Sequence, residues 1–391
     1  MNRPLIAGQF SDTFVPIMDG VSIAARNYAY WLDKKYRTCY AIGPEVKGYE
    51  DHEEFTVLRY KSFPIPGFDP FRIGIPQIDR DFKKQLDKID FTIVHAHCPF
   101  VSGQLASKIA EEKEIPLVAT FHSKYREDFK STLPSESFVE MAVKRVVRYY
   151  ESADYVWVPA QNTAEVLQEY GYRGSIEVMP NGTDIPLPSK EEYSQYYKKG
   201  SELFDAPEGE FVLLFVGQHR WVKNIKLIIE ALNVLNKRGR SFKMVFVGKG
   251  PDKKEMEQLV YRYGIWDKVF FTGIIIDREE IKPVYARANL FLFPSLYDNA
   301  PLVMREAAAF KVPSVLVKRT TAAETVTDGE NGFLIEDDSE DFADMLESLM
   351  DEPERIEEAG EGARRSIYRS WEDVIDTVYT RYCEILDEWQ S

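Results

Sequence analysis

The sequence predicts an α/β protein of two domains, each built on a parallel sheet with helices on both faces. Three observations carry this. The chain has 391 residues, more than one core of ordinary size serves. Short apolar runs alternate with helix-length segments along nearly all of it, as buried parallel strands and their crossovers require. The alternation is interrupted once, by PLPSKEEYSQYYKKGSELFDAPEGE from Pro186, rich in Pro, Tyr and charge, which reads as the connection.

The elements follow in order. LIAGQF is the first strand, a helix covers Gly20 to Leu32, and TCYAIGP and FTVLRY are the next strands. A helix near Arg80 to Leu86 leads to FTIVHAH, one over Ser102 to Glu111 to PLVATFH, and one over Phe138 to Tyr150 to YVWVPA. SIEVMP, ending in Asn181-Gly182-Thr183-Asp184, closes the first domain. The second restarts with FVLLFVG, a helix over Asn224 to Leu235, FKMVFVGKG, a helix over Lys253 to Tyr263 and KVFFTG. A short helix near Glu280 to Ala286 precedes NLFLFPS, the helix holding Glu306, PSVLVK and GFLIED. The chain finishes in acidic helices; Trp371, Ile375, Val378, Tyr382, Ile385 and Trp389 recur every three or four residues and make one buried stripe. Two such domains expect a cleft at the carboxyl ends of their strands, where open α/β sheets bind ligands.

At 44% hydrophobic the chain has material for real cores. A formal charge of −15 argues against a nucleic-acid partner, though not against a local basic patch. The three cysteines, Cys39, Cys98 and Cys383, lack metal spacing and fit a reduced cytoplasmic chain. No apolar run is long enough to span a bilayer, and MNRPLIAGQF turns polar too soon for a signal peptide.

Candidate chemistry gathers at predicted strand ends. Gly217 closes a strand before QHRWVKN, so that backbone could approach an anion with His219, Arg220 and Lys223 near; a glycine turn with solvated basic residues is the plainer alternative. Gly248 and Gly250 repeat the pattern, as does Asp19-Gly20 ahead of a helix. His95, His97 and His122 fall at adjacent strand ends and suit either an organic ligand or buried structural roles, without a convincing fourth group for zinc. In SLYDNAPLVMREAAAFKVPSVL, Asp298 and Glu306 lie eight apart across a turn and a helix, open to a solvated or a ligand-holding reading. The helix SFVEMAVKRVVRYYE sets Phe138 and Met141 beside Lys144, Arg145 and Arg148; core packing is the default, contact with an anionic bilayer the alternative.

On these residues the chain resembles glycosyltransferase family 4, whose members have the GT-B architecture of two Rossmann-like domains facing a cleft. HAHCPF followed by ATFHSKYREDF looks most like the bacterial diacylglycerol glucosyltransferases. The resemblance implies domains over residues 1–190, joined by a C-terminal helix of about 371–391 crossing back, and over 205–370. It implies that Asp298 meets the transferred sugar with the amides of Asn299 and Ala300, that Glu306 holds the ribose, and that Lys223 meets the diphosphate. Gly20, Gly217, Gln218, His219, Arg220, Gly248 and Glu324 complete the implied donor site. His122 stands near the reaction centre, with His95, His97 and Tyr125 on the acceptor side.

The implied activity is retaining transfer of a hexose, glucose foremost, from a UDP-sugar to a hydroxyl of a lipid, glycan or small molecule, with His122, Lys223 and Asp298 as the catalytic set. No cofactor or metal has a role in that scheme. No nucleic acid is expected as a partner; location is cytoplasmic, with contact at the inner face of the membrane through the N-terminal domain left open. Four positions depart from the family: Gln218 where Arg is usual, Val222 where Glu is, Asp298 for Glu and Lys311 for Gly. A nucleotide-sugar-binding partner subunit of low turnover is therefore the competing expectation.

Overall fold

The computed structural model describes residues 4–17, 19–65, 71–130 and 132–390. The chain divides into two compact units, one running to Asn181 and resuming at Trp371, the other spanning Gly182–Ser370.

The first unit is built on strands β1 (Ala7–Phe10), β2 (Cys39–Pro44), β3 (Thr56–Tyr60), β6 (Ile93–Ala96), β7 (Leu117–Thr120), β8 (Tyr155–Val158) and β9 (Glu177–Val178), with a hairpin of β4 (Ser62–Pro64) and β5 (Arg72–Gly74) beside them. Its helices are α1 (Gly20–Tyr36), α2 (Arg80–Leu86), α3 (Val101–Lys113), α4 (Tyr125–Lys130), α5 (Glu136–Glu151) and α6 (Gln161–Glu169). The sheet runs β3-β2-β1-β6-β7-β8-β9, every pairing parallel, so the chain winds outward from β1 in one direction and then from β6 in the other. The switch point falls between β1 and β6, where register pairs Gln9 with His95.

The second unit holds α7 (Lys190–Leu203), β10 (Val212–Val216), α8 (Ile225–Lys237), β11 (Lys243–Val247), α9 (Lys253–Arg262), β12 (Val269–Gly273), α10 (Arg278–Arg287), β13 (Leu290–Leu292), α11 (Leu302–Ala309), β14 (Ser314–Val317), β15 (Gly332–Ile335), α12 (Ser339–Asp351) and α13 (Pro353–Ser366). Its sheet, β12-β11-β10-β13-β14-β15, is again parallel, with the switch between β10 and β13. Strands such as VLLFV and SVLV are buried almost throughout because helices cover both faces.

Three features depart from the sequence reading. The expected connector contains α7, capped by a reciprocal Ser189/Glu192 box and packed on α10 so closely that a Cβ on Gly200 would lie 2.2 Å from the Pro283 carbonyl. The β4/β5 hairpin, α4, α6 and α12 had no assigned element. The third is Lys311, which stands at φ 59°, the left-handed region after α11 where glycine is favoured, and its ammonium pairs with Glu361.

The last helix, α14 (Trp371–Gln390), belongs to the first unit and packs on α1. Trp371, Ile375, Val378, Tyr382 and Ile385 are buried, Trp371 edge-on to Tyr28 and Tyr382 stacked on Trp157, whereas Trp389 is exposed.

Candidate functional site

In the second unit, charged side chains gather at the carboxyl ends of the strands flanking the switch point. Lys223 lies in a single 3-10 turn after β10, and Asp298 in the loop after β13. Because β10 and β13 are neighbours, the two residues meet: Lys223 Nζ donates to both oxygens of Asp298, at 2.7 and 2.8 Å, and lies 5.1 Å from the Tyr297 ring centroid. Their side chains retain 13% and 21% exposure, so the pair is shielded yet open to exchange with a ligand.

Glu306, in α11, is buried at 7% exposure, which a carboxylate tolerates only with donors on it. Tyr285 Oη donates to Oε2 at 2.6 Å, and Arg278 Nη2 donates to Oε1 at 2.6 Å and to Asp184 at 2.5 Å. Burial pulls the Arg278 pKa down, but Glu306 and Asp184 raise it further, and the guanidinium stays charged. Burial, then the neighbouring carboxylate, pushes the Tyr285 hydroxyl up, which keeps it a donor. Arg278, Tyr285 and Asp184 were missed by the sequence reading: the first two lie on α10 and the third follows β9, and no local spacing connects either segment to Glu306.

The glycine-rich loops behave differently from the expectation of a phosphate cradle. A Cβ on Gly248 would stand 1.9 Å from the Gly217 carbonyl oxygen, and one on Gly250 would stand 2.1 Å from that of His219. These glycines let two loops of the chain close on each other. His219 is enclosed by Phe215, Phe246 and Phe271, with no exposure and no partner on either ring nitrogen. Burial, then Lys253 nearby, lowers its pKa to about 4, so it is neutral and does not replace the missing arginine charge. Gln218 and Arg220 are exposed, Asn299 is buried beside Asp298 in sequence, Ala300 is half-buried, and Glu324 is exposed on a 3-10 turn over Thr321–Thr325. Lys311, an expected sign of weakened function, forms none of these contacts.

In the first unit, the turn before α1 is satisfied from within. Asp19 Oδ1 accepts from the Ser22 amide at 2.7 Å and caps the helix, occupying an N–H that the Gly20 reading offered to a phosphate. Asp12, in the loop after β1, accepts from the Ser102 amide of α3 at 2.9 Å, and burial raises its pKa to about 6.

The three strand-end histidines are connected, but two of them are not surface groups. His95 and His97 have no exposure. His95 Nδ1 lies 2.5 Å from Tyr382 Oη and Nε2 2.6 Å from Thr120 Oγ1. His97 Nε2 lies 2.9 Å from Gln9 Oε1, and Nδ1 3.1 Å from His122 Nε2. His122 alone is half-exposed. Burial lowers all three pKa values, that of His122 to about 4, so the cluster is neutral. The acceptor-side expectation for His95 and His97 is therefore corrected: both are buried, His97 meeting His122 and His95 stacking on His97 while Tyr382 and Thr120 hold its ring nitrogens. Tyr125 is likewise buried, packed with Phe100, Phe121 and Phe129. Among the described residues, no group of three or more histidine, cysteine or acidic side chains is placed to hold a metal ion.

Residues 18–186 match the family model described as Glycosyltransferase Family 4, and residues 201–366 match that described as Glycosyl transferases group 1. The alpha-monoglucosyldiacylglycerol synthase of Streptococcus pneumoniae is 25% identical over 356 residues, covering 90% of this chain and 79% of the relative. That of Acholeplasma laidlawii is 23% identical over 389 residues, covering 97% and 96%. Among solved structures, Anabaena Alr3699/HepE in complex with UDP superimposes with a TM-score of 0.77 at 17% identity, covering 97% of this chain and 100% of that one. With a family model over each unit and relatives aligned along nearly the whole length, the chain belongs to the family 4 glycosyltransferases of GT-B fold.

Proposed function

We propose that the protein is a retaining hexosyltransferase that moves glucose from UDP-glucose to a hydroxyl of a membrane diacylglycerol lipid. The observation that carries the donor half is the pairing of Lys223 with Asp298 at the β10/β13 switch point, with the buried carboxylate of Glu306 eight residues further along the same loop and helix. A diphosphate entering there takes Lys223 from Asp298. Asp298, released, accepts hydrogen bonds from the sugar hydroxyls, while Glu306 uses its remaining lone pairs for the ribose. Charge that develops on the leaving diphosphate is stabilised by Lys223, with Arg220 exposed on the same loop; Gln218 contributes a neutral donor where an arginine is usual. The acceptor hydroxyl attacks on the face the diphosphate leaves and passes its proton to that phosphate. No metal or cofactor takes part.

The acceptor half is supported by the two diacylglycerol-directed relatives and by α5. Its Phe138 and Met141 are 51% and 59% exposed, and Lys144, Arg145 and Arg148 are exposed on the same helix. Apolar side chains followed by cations are how a helix rests on an anionic bilayer. No helix among the described residues is long and apolar enough to cross one.

The test is UDP release from UDP-glucose with diacylglycerol in anionic vesicles, against soluble sugars and against GDP-mannose as donor, with the product's anomeric configuration read by NMR. An α-glucosyl lipid is expected. UDP-glucose binding without release in any acceptor arm would establish the alternative, a nucleotide-sugar-binding partner subunit.

A further inference from the structure

Arg305 is a buried charge that the donor scheme does not use. It lies on α11 immediately before Glu306 and keeps 8% of its surface exposed. Its Nε has no hydrogen-bond partner. Burial, then the like charge of Arg369, lowers its pKa to about 10, so the guanidinium stays charged at neutral pH. Arg369 follows α13, which packs on α11. The Arg369 carbonyl accepts from the Thr183 amide at 2.8 Å, and Thr183 pairs with Ser370 in an isolated parallel bridge, so the backbone beneath the exposed Arg369 side chain is tied down.

The chain carries a formal charge of −15, yet among the described residues no ion pair reaches Arg305 or Arg369. Glu306 is held by Arg278 and Tyr285, and Glu361 on α13 by Lys311. A solvated head on a packed aliphatic stem is the plainer account of an arginine on a helix, but it requires the head to stand in water, and Arg305 is too enclosed for that. A water molecule could accept from Nε–H without supplying the missing counter-charge. We propose that Arg305 and Arg369 form an anion site that takes a phosphate group. Two guanidiniums present planar forks of N–H donors and two positive charges, which match a tetrahedral dianion better than a single carboxylate. The site rests on the surroundings of Arg305 and not on the donor reading of Lys223, Asp298 and Glu306.

The experiment is urea unfolding of the full chain at pH 7.5, with sodium chloride exchanged for inorganic phosphate at constant ionic strength, for wild type, Arg305→Met, Arg369→Met and Lys223→Ala. Phosphate should raise the wild-type midpoint with a saturating dependence. The phosphate dissociation constant should weaken about tenfold or more in Arg305→Met, the worth of one charge-assisted contact, and about threefold in Arg369→Met, whose exposed charge is screened. Without phosphate, Arg305→Met should be at least as stable as wild type, because the methionine keeps the packed stem and removes an unpaired charge. Two further arms identify the source of the phosphate: UDP against uridine for a nucleotide, and glycerol 3-phosphate for a lipid headgroup. An Arg305-dependent gain with either one supports the site.

No phosphate gain in wild type, or equal gains in wild type and Arg305→Met, overturns the proposal. So does a marked loss of stability in Arg305→Met without phosphate, which would mean that the guanidinium has a partner inside the fold. A gain lost in Lys223→Ala and kept in Arg305→Met would place phosphate at the donor site alone, refuting the proposal and leaving the donor reading intact. Arg369→Met changes an exposed side chain and decides the matter even where Arg305→Met fails to fold: phosphate binding equal to wild type in that variant overturns the two-arginine site.

Discussion

Asp298→Asn should tighten UDP binding while slowing transfer. The Asp298 carboxylate takes two hydrogen bonds from Lys223 Nζ, at 2.7 and 2.8 Å, with both side chains mostly shielded. A diphosphate must break that pair and approach the displaced carboxylate. Asparagine keeps the shape and one acceptor oxygen but removes the charge. A charge-assisted bond of this exposure contributes on the order of 1–2 kcal/mol, less than an isolated buried pair because solvent screens part of it. UDP affinity should therefore rise about 5- to 30-fold. Turnover should fall about 100-fold, because the sugar hydroxyls lose a charged acceptor in the transition state. Calorimetry with UDP and with UDP-glucose at two salt concentrations reads both halves, and high salt should shrink the UDP gain. Weaker UDP binding by Asp298→Asn would mean that Lys223 is not held in check by Asp298, and the ligand exchange drawn here would be wrong.

Lys223→Ala should weaken UDP by at least about 1.5 kcal/mol, the scale of a charge-assisted phosphate contact, and Gln218→Ala by much less, measured in the same titrations. Glu306→Gln should lower nucleotide affinity by roughly 1–3 kcal/mol and lower stability as well, since Arg278 and Tyr285 lose a charged acceptor; unchanged affinity by calorimetry would remove Glu306 from the nucleotide site. Lys311→Gly should raise stability by about 0.5 kcal/mol in urea unfolding, relief of the left-handed backbone exceeding loss of an exposed pair with Glu361, and should leave transfer unaltered. Stability should fall as pH drops from about 6.5 towards 4: His122 and His219 are held near 4 in the fold and near 6.5 when unfolded, so the unfolded chain binds more protons across that window. Asp12, raised to about 6, works in the opposite sense below that value, and a urea midpoint higher at pH 5 than at pH 7.5 would contradict the histidine assignment.

Periodicity and strand-end chemistry determined much by themselves. Runs such as VLLFV can be buried on both sides only in a covered parallel sheet, and strands that alternate with helices must be joined by crossovers, so the α/β class and the positions of Gly217, His122 and Asp298 at strand ends were legible. The helix α7 was not read, although its Ser189 to Glu192 capping box stands in the sequence, since a helix with one packed face and a solvated remainder reads like a linker. What tertiary structure alone decided was the sense of each polar group. Asp19 turned out to cap α1, His219 to be entombed among phenylalanines, and Gly248 to admit a neighbouring loop, because each outcome depends on what another segment brings within a few ångströms. Glu306 meets Arg278 and Tyr285 from a different helix, and Gln9 meets His97 and Tyr382 across 88 and 373 residues of sequence. Such partners share no local period; strand order places them together.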